Sequence, residues 1–278
     1  MIYLNGKLLP DSEACISPSD RGLLLGDGLF ETMRAYQGHI FRADAHLARL
    51  LAGAEFLGID VPVGEEDLLR ALSRTLEANG LAQSDASLRL TLTRGTGPRG
   101  LVPSPNARPT LLITASPLKA IVHPSATAII ASVRRNEHSP LANLKTLNFL
   151  DNVLARREAV GAGADEALML NTAENLAEAS AANLFAVFDG VLHTPPMGDG
   201  ALPGVTRAVV MELAQGLDIP VVVEASLAPE RLFTAQEAFL TNSLIEIQPL
   251  VIVNGWRIGD GEAGEMTRRL QDAYKETV

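Results

Sequence analysis

Apolar and polar positions alternate with a period of two through Ser87 to Thr93, and a short apolar run follows at Thr110 to Thr114. Both predict strands, as do the short apolar runs Ala126 to Ser132, Glu166 to Leu170 and Leu184 to Phe188. The pairs Asn5-Gly6, Asp189-Gly190 and Asn254-Gly255 lie between apolar stretches and predict three hairpin turns. Helical spacing replaces alternation over Asp44 to Leu57, Glu65 to Ala78, Val205 to Gln215 and Glu262 to Glu276. One more helical pattern, Leu147, Leu150, Val153, Leu154 and Val160, has Asp151, Arg156, Arg157 and Glu158 on its other faces. Lys145 is therefore expected just ahead of a helix or in its first turn. Hairpins argue against a purely parallel sheet, and the helices against an all-β fold. The pattern predicts an α/β (α+β) fold of two domains with mixed, largely antiparallel sheets flanked by helices. The expected boundaries are a smaller domain over 1–116, a linker over 117–124 and a larger domain over 125–278.

Composition narrows the chemistry. The 278 residues are 47% hydrophobic and 20% charged, enough to build a substantial core. A net charge of -10 disfavours nucleic acid or an anionic membrane as the main partner. Cys15, the single cysteine, permits no internal disulfide, and the isolated histidines match no metal-ligand spacing. The amino-terminal residues lack signal-peptide character, and no run is long enough to span a membrane; a cytoplasmic setting is expected.

Several segments carry candidate chemistry. Lys145 at a rigid element can be a nucleophile toward a carbonyl, or a solvated lysine. Leu202-Pro203-Gly204-Val205-Thr206-Arg207 enters a helix, where free backbone N–H groups and the Thr206 hydroxyl suit a phosphate; an ordinary helix entry has the same appearance. Glu178, set among small residues between apolar strands, can pair with a ring nitrogen or simply face water. Arg49, three residues after His46 and on the same helical face, can bind an anion or stay exposed. The loop Arg94 to Pro103, rich in Gly and Pro and holding Arg94 and Arg99, suggests a binding loop. Gly259 to Gly264 fits G-x-G-x-x-G, but no later strand brings the acidic residue a dinucleotide fold needs about 20 residues on, so it reads as a strand-to-helix turn.

Taken in order, Gly26-Asp27-Gly28-x-Phe30-Glu31, His46-x-x-Arg49, Lys145-x-Leu147-Asn148, Glu178-x-Ser180-x-x-Asn183-Leu184-Phe185 and Gly204-Val205-Thr206-Arg207 resemble the class IV aminotransferases, pyridoxal-phosphate enzymes of fold type IV. The resemblance implies pyridoxal 5'-phosphate as cofactor and Lys145 as the catalytic lysine that carries it and moves the substrate proton. It implies Glu178 at the pyridine nitrogen, Arg49, Val205, Thr206 and Ser243 at the phosphate, and Leu202 against the ring. Phe30, Arg99 and Leu101 fall at positions that contact substrate, and a homodimer with its active site near the interface is expected.

Leu150 stands where branched-chain members have a tyrosine five residues after the lysine. Arg99-Gly100-Leu101 keeps the arginine but not the histidine of the Arg-x-His loop in D-amino-acid aminotransferases. The implied function is amino transfer between an amino acid, of D or branched-chain type, and a 2-oxo acid. The alternatives are an aminodeoxychorismate lyase releasing pyruvate and 4-aminobenzoate, and a non-catalytic binding protein on the same fold.

Overall fold

The computed structural model describes residues 1–118, 124–223 and 225–278. Most of the expected linker, residues 119–123, lies outside the described residues, as does His123. Two compact units result: Met1–Lys119 with Lys145–Asn148, and Ala120–Leu144 with Phe149–Val278.

In the first unit, β1 (Ile2–Leu4) and β2 (Lys7–Leu9) are joined through Asn5 and Gly6, both at positive φ, as a tight hairpin of this type requires. Then follow α1 (Arg21–Leu25), β3 (Gly28–Tyr36), β4 (His39–Ile40), α2 (Ala43–Leu57), α3 (Glu65–Ala78), β5 (Ala86–Thr93) and β6 (Thr110–Pro117). The strands make one antiparallel sheet in the order β2-β1-β6-β5-β3-β4. Alternation in β5 works as expected: Ala86, Leu88, Leu90 and Leu92 are buried, and Arg89 lies on the opposite face. In α3, Leu68, Ala71, Leu72, Thr75 and Leu76 form the buried stripe, while Glu65, Glu66 and Asp67 in the first turn complement the helix dipole. Burial of each such leucine stabilises the unit by roughly 1.5–3 kcal/mol.

The Lys145–Asn148 segment is held by this sheet. Phe30 N–H donates to the Lys145 carbonyl at 2.9 Å, Leu147 N–H donates to Gly28 O at 3.0 Å, and Leu29 bridges Thr146. Lys145 is thus fixed on a strand-like extension of β3, five residues ahead of the next helix.

The second unit contains β7 (Ala126–Arg135), α4 (Leu150–Gly161), β8 (Glu166–Asn171), β9 (Leu176–Ala179), β10 (Asn183–Phe188), β11 (Val191–His193), α5 (Val205–Gly216), β12 (Val221–Val222), α6 (Pro229–Leu232), β13 (Glu237–Asn242), β14 (Glu246–Val253), β15 (Trp256–Arg257) and α7 (Glu265–Lys275). Its sheet runs β12-β11-β10-β13-β14-β7-β8-β9, with β15 on β14. The β11/β12, β14/β7 and β7/β8 pairs are parallel and the others antiparallel, which is the mixed, largely antiparallel arrangement expected. Leu168, Leu170, Leu184, Leu240 and Val253 anchor the core, and Phe185 stacks on Phe239 with centroids 5.0 Å apart.

Helix α4 departs from its apolar pattern. Leu150, Val153, Leu154 and Val160 are exposed, by 68% in the case of Leu150, and the buried face is Asn152, Ala155 and Ala159. Alanines let the helix approach Ala131, Ala167 and Met169 closely. The Gly259–Gly264 segment is the expected turn from β15 to α7. Glu237 accepts from Met266 N–H and Thr267 N–H at 2.9 and 2.7 Å, and a Cβ at Gly264 would meet the Glu237 side chain at 1.9 Å.

Candidate functional site

In the first unit, Lys145 Nζ lies 4.4 Å from the centre of the Phe30 ring, and the Arg89 guanidinium carbon lies 3.9 Å from the same centre. Register explains the grouping. Phe30 is opposite Thr91, two residues from Arg89 on the same face, while Phe30 N–H holds the Lys145 carbonyl. Arg89 is exposed as a residue, but partial desolvation of its guanidinium lowers its pKa from the ordinary value. The Arg89 side chain forms no ion pair or hydrogen bond with a described residue, so it can still receive an anion. Behind Lys145, Asn148 Nδ2 donates to Gly26 O at 3.1 Å, and a Cβ at Gly28 would meet Leu92 O at 2.5 Å.

Arg49 is also preset. Its Nε and Nη2 donate to Glu31 Oε1 and Oε2 at 2.7 and 2.6 Å, and His46 Nδ1 lies 2.7 Å from Glu31 Oε2. Burial opposes ionisation of Glu31, but hydrogen bonds and charge from His46 and Arg49 outweigh it and hold the carboxyl below the usual range.

The arginine loop is tied from beneath. Arg21 donates to Gly100 O and Leu101 O, both at 2.9 Å, and its Nε donates to Asp27 Oδ2 at 2.8 Å. Arg94 joins the same Asp27 oxygen and donates to Leu57 O and Gly58 O at the end of α2. Arg99 and Leu101 are exposed on this loop, Leu101 by 81%. Arg99 makes no hydrogen bond or ion pair with a described residue.

The second unit brings Glu178, Leu202, Val205 and Thr206 together. Glu178 is buried in β9; its Oε2 accepts from Leu202 N–H at 2.8 Å and Asn183 Nδ2 at 3.4 Å, and Arg135 Nη2 is 3.1 Å from Oε1. Asn183 also donates to Leu202 O at 2.9 Å. Helix α5 begins at Gly204 with no side-chain cap, and Val205 and Thr206 are buried in its first turn. A Cβ on Gly204 would come within 2.0 Å of Asn183 Oδ1, so only glycine permits this close approach. Burial lowers the pKa of Arg207, the third residue of α5, while the charge of Glu178 raises it. Ser243 sits half-buried in the turn after β13, a turn shaped by Asn242 Oδ1, which accepts from Leu244 and Ile245 N–H. Beside it, Thr241 is opposite Asn183, and its hydroxyl is buried with no partner among the described residues.

These groups suit pyridoxal phosphate. A carboxylate held by an arginine can accept from a protonated ring nitrogen. An uncapped helix start with buried hydroxyls at Thr206 and Thr241 can hold a phosphate. Among the described residues no cluster of His, Cys, Asp and Glu can hold a metal ion, and no helix is long and apolar enough to cross a membrane.

Sequence reasoning missed Glu31 as the anchor of Arg49, and also Arg89, Arg135 and Thr241. Glu31 precedes Arg49 by 18 residues and Arg135 precedes Glu178 by 43, so only the packing of α2 on β3 and the register of β7, β8 and β9 join them. Only Glu31 had a signal, since it stands in the glycine-rich motif.

The sequence model of the family "Amino-transferase class IV" matches residues 28–253. A Methanocaldococcus jannaschii protein named "Putative branched-chain-amino-acid aminotransferase" is 40% identical over 99% of this chain and 95% of its own length. The Bacillus subtilis aminodeoxychorismate lyase is 32% identical over 100% of this chain and 94% of its own. Among solved structures, the Escherichia coli branched-chain amino acid aminotransferase superposes with a TM-score of 0.94 at 29% identity, covering 99% of this chain and 93% of that one. Another branched-chain amino acid aminotransferase, from T.th., superposes with a TM-score of 0.92 at 32% identity over 99% of this chain and 92% of that one, and was solved with N-(5'-phosphopyridoxyl)-L-glutamate. This chain belongs to the class IV aminotransferase family and is a pyridoxal-phosphate-dependent enzyme.

Proposed function

We propose that the enzyme transfers an amino group between an amino acid and a 2-oxo acid, and that one partner of the pair carries a second carboxylate. The observation that carries this reading is the Phe30 ring with Lys145 Nζ at 4.4 Å and, at 3.9 Å, the guanidinium of Arg89, which has no carboxylate partner among the described residues. The glutamate-bearing compound bound by one of the branched-chain relatives is of the same chemical class.

When bound, the cofactor supplies an aldehyde that takes up the amino group and a protonated ring that withdraws electrons from the substrate carbon. Glu178 holds the ring nitrogen's proton through its carboxylate, which Arg135 and the Leu202 N–H keep in place. Arg49, Thr206, Ser243 and the α5 N–H groups of Val205 and Thr206 hold the phosphate, and Leu202 packs on the ring. Lys145 Nζ would hold the cofactor and, once freed by the substrate amine, would carry the proton from the substrate α-carbon to the carbon on the other side of the transferred nitrogen. Phe30 gives that amine an apolar wall, and Arg89 and Arg99, the latter with Leu101 beside it, hold carboxylates. A homodimer that shares Arg99 across its interface fits the exposure of that loop.

Incubation of the purified protein with pyridoxal phosphate and either L- and D-amino acids paired with 2-oxo acids, or aminodeoxychorismate, tests this. Amino transfer with ping-pong kinetics and a preference for glutamate or 2-oxoglutarate as one partner is expected. Pyruvate release from aminodeoxychorismate without an acceptor would replace transfer by the lyase reaction.

A further inference from the structure

We infer that Arg135 is a positioning residue: it fixes the Glu178 carboxylate where the cofactor ring nitrogen must meet it. This rests on the role given to Glu178 above. Arg135 closes β7, next to Arg134, and the two neighbours part company. Arg134 turns to Glu174 at the surface, with 35% of its side chain exposed. Arg135 turns inward, with 14% of its own side chain and 7% of that of Glu178 exposed.

Three segments meet at this guanidinium. Its Nη2 lies 3.1 Å from Glu178 Oε1 and donates to Ala142 O at 2.5 Å, and its Nε donates to Gly200 O. Ala142 belongs to the turn that runs on to Lys145 in sequence, and Gly200 precedes Leu202 by two residues. The Asn143 amide, turned so that its nitrogen faces them, links the same two segments by donating to Met197 O and Ala201 O at 3.1 and 3.0 Å. Arg135 therefore fixes one carboxylate oxygen and the loop that supplies the Leu202 N–H to the other. A planar fork with donors in set directions can do this, whereas a lysine ammonium presents one point. Position matters because a catalytic group displaced by about 1 Å can lose on the order of 100-fold in rate.

The test is a double-mutant cycle on the enzyme reconstituted with pyridoxal phosphate. Parent, Arg135→Met, Arg135→Lys, Glu178→Gln and the Arg135→Met/Glu178→Gln pair are compared for cofactor dissociation constant, visible absorbance, kcat and KM. Arg135→Met should weaken cofactor binding and lower kcat by at least about tenfold, with donor KM held within about twofold, and should cost less than about twofold once Glu178 is Gln. Arg135→Lys should recover part of the loss. Equal costs in both backgrounds, or an unchanged Arg135→Met enzyme, would overturn the inference. Should Arg135→Met fail to fold by circular dichroism, the same cycle with Arg135→Lys decides by the same criterion of unequal or equal costs. A parent that takes up no pyridoxal phosphate sinks both this inference and the functional reading. A parent that binds it and is impaired by Glu178→Gln but not by Arg135→Met sinks this inference alone.

Discussion

Arg49 and Glu31 form a two-point clamp, Nε to Oε1 at 2.7 Å and Nη2 to Oε2 at 2.6 Å, between α2 and β3. The Glu31 side chain is 1% exposed and Arg49 is 14% exposed, so the pair is shielded and its geometry fixed. Removing one member of a buried pair strands the other. Glu31→Ala should lower unfolding free energy by about 3–5 kcal/mol, and it also removes the carboxylate that His46 faces. Glu31→Gln is the gentler variant, expected to weaken cofactor binding by roughly tenfold, the equivalent of about 1.4 kcal/mol. Titrating pyridoxal phosphate by its visible absorbance measures this, and unchanged affinity would separate Arg49 from the phosphate.

Asn148 and Gly26 hold the Lys145 segment to the start of β3. Gly26 has a φ of +67°, and a Cβ there would lie 2.7 Å from Asn148 Oδ1. Gly26→Ala thus meets both backbone strain and a clash, expected to cost on the order of 1–3 kcal/mol. Asn148→Ala removes one hydrogen bond, worth about 1 kcal/mol, and should lower kcat more than it lowers stability. Denaturant melts alongside turnover distinguish the two. A fall in melting midpoint without a fall in kcat for Asn148→Ala would show that Lys145 does not depend on this anchor.

Where side chains obeyed a local rule, the sequence was a good guide. Asn5-Gly6 forced a hairpin, and the α3 stripe buried as its spacing predicted. Lys145 stood out as a candidate only through its company along the chain, because a lysine on a short sheet extension has no periodic mark of its own. The α4 stripe misleads for a physical reason: three small residues, Asn152, Ala155 and Ala159, fill the space against β7 and β8, so the larger apolar residues face outward. Arg134 and Arg135 are indistinguishable as letters. Their different fates follow from the alternation of β7 and from an irregularity in its pairing with β8 between Ile130 and Arg134. The partners of Arg89 and Arg135 depend on such register, and no local pattern encodes it.

Stability should depend on pH through Asp27 and Glu31. Burial works against ionisation of both, but Arg94 and Arg21 at Asp27, and His46 and Arg49 at Glu31, more than offset it, so both carboxyls fall below their ordinary range. A group with a depressed folded pKa contributes stability above its unfolded value and loses it as pH drops through the folded one. Unfolding free energy should therefore decline as pH is lowered from the ordinary carboxylate range of about 4. In Asp27→Asn the starting stability should be lower and the decline shallower. Urea melts across an acid pH series measure both, and parallel declines in parent and variant would remove Asp27 from the linkage.

Gly204 offers the most local test of the phosphate assignment. It precedes α5 with φ of -69° and ψ of 136°, a conformation open to any residue, so backbone strain does not demand a glycine there. What demands it is space, since an added Cβ would sit 2.0 Å from Asn183 Oδ1 and 3.2 Å from Arg207 Cβ. Gly204→Ala must then push Asn183 aside, breaking its bond to Leu202 O and disturbing the Leu202 N–H that supports Glu178. The helix itself should survive, because replacing an N-cap glycine by the poorer capping residue alanine costs only about 1 kcal/mol. Cofactor affinity is expected to fall at least about tenfold, with a change in melting temperature of the cofactor-free protein limited to a few degrees. Pairing the substitution with Asn183→Ala relieves the clash, and in that background Gly204→Ala should cost far less. Equal losses with and without Asn183 would mean that the added methyl acts directly on the bound phosphate and not through the Asn183 contact.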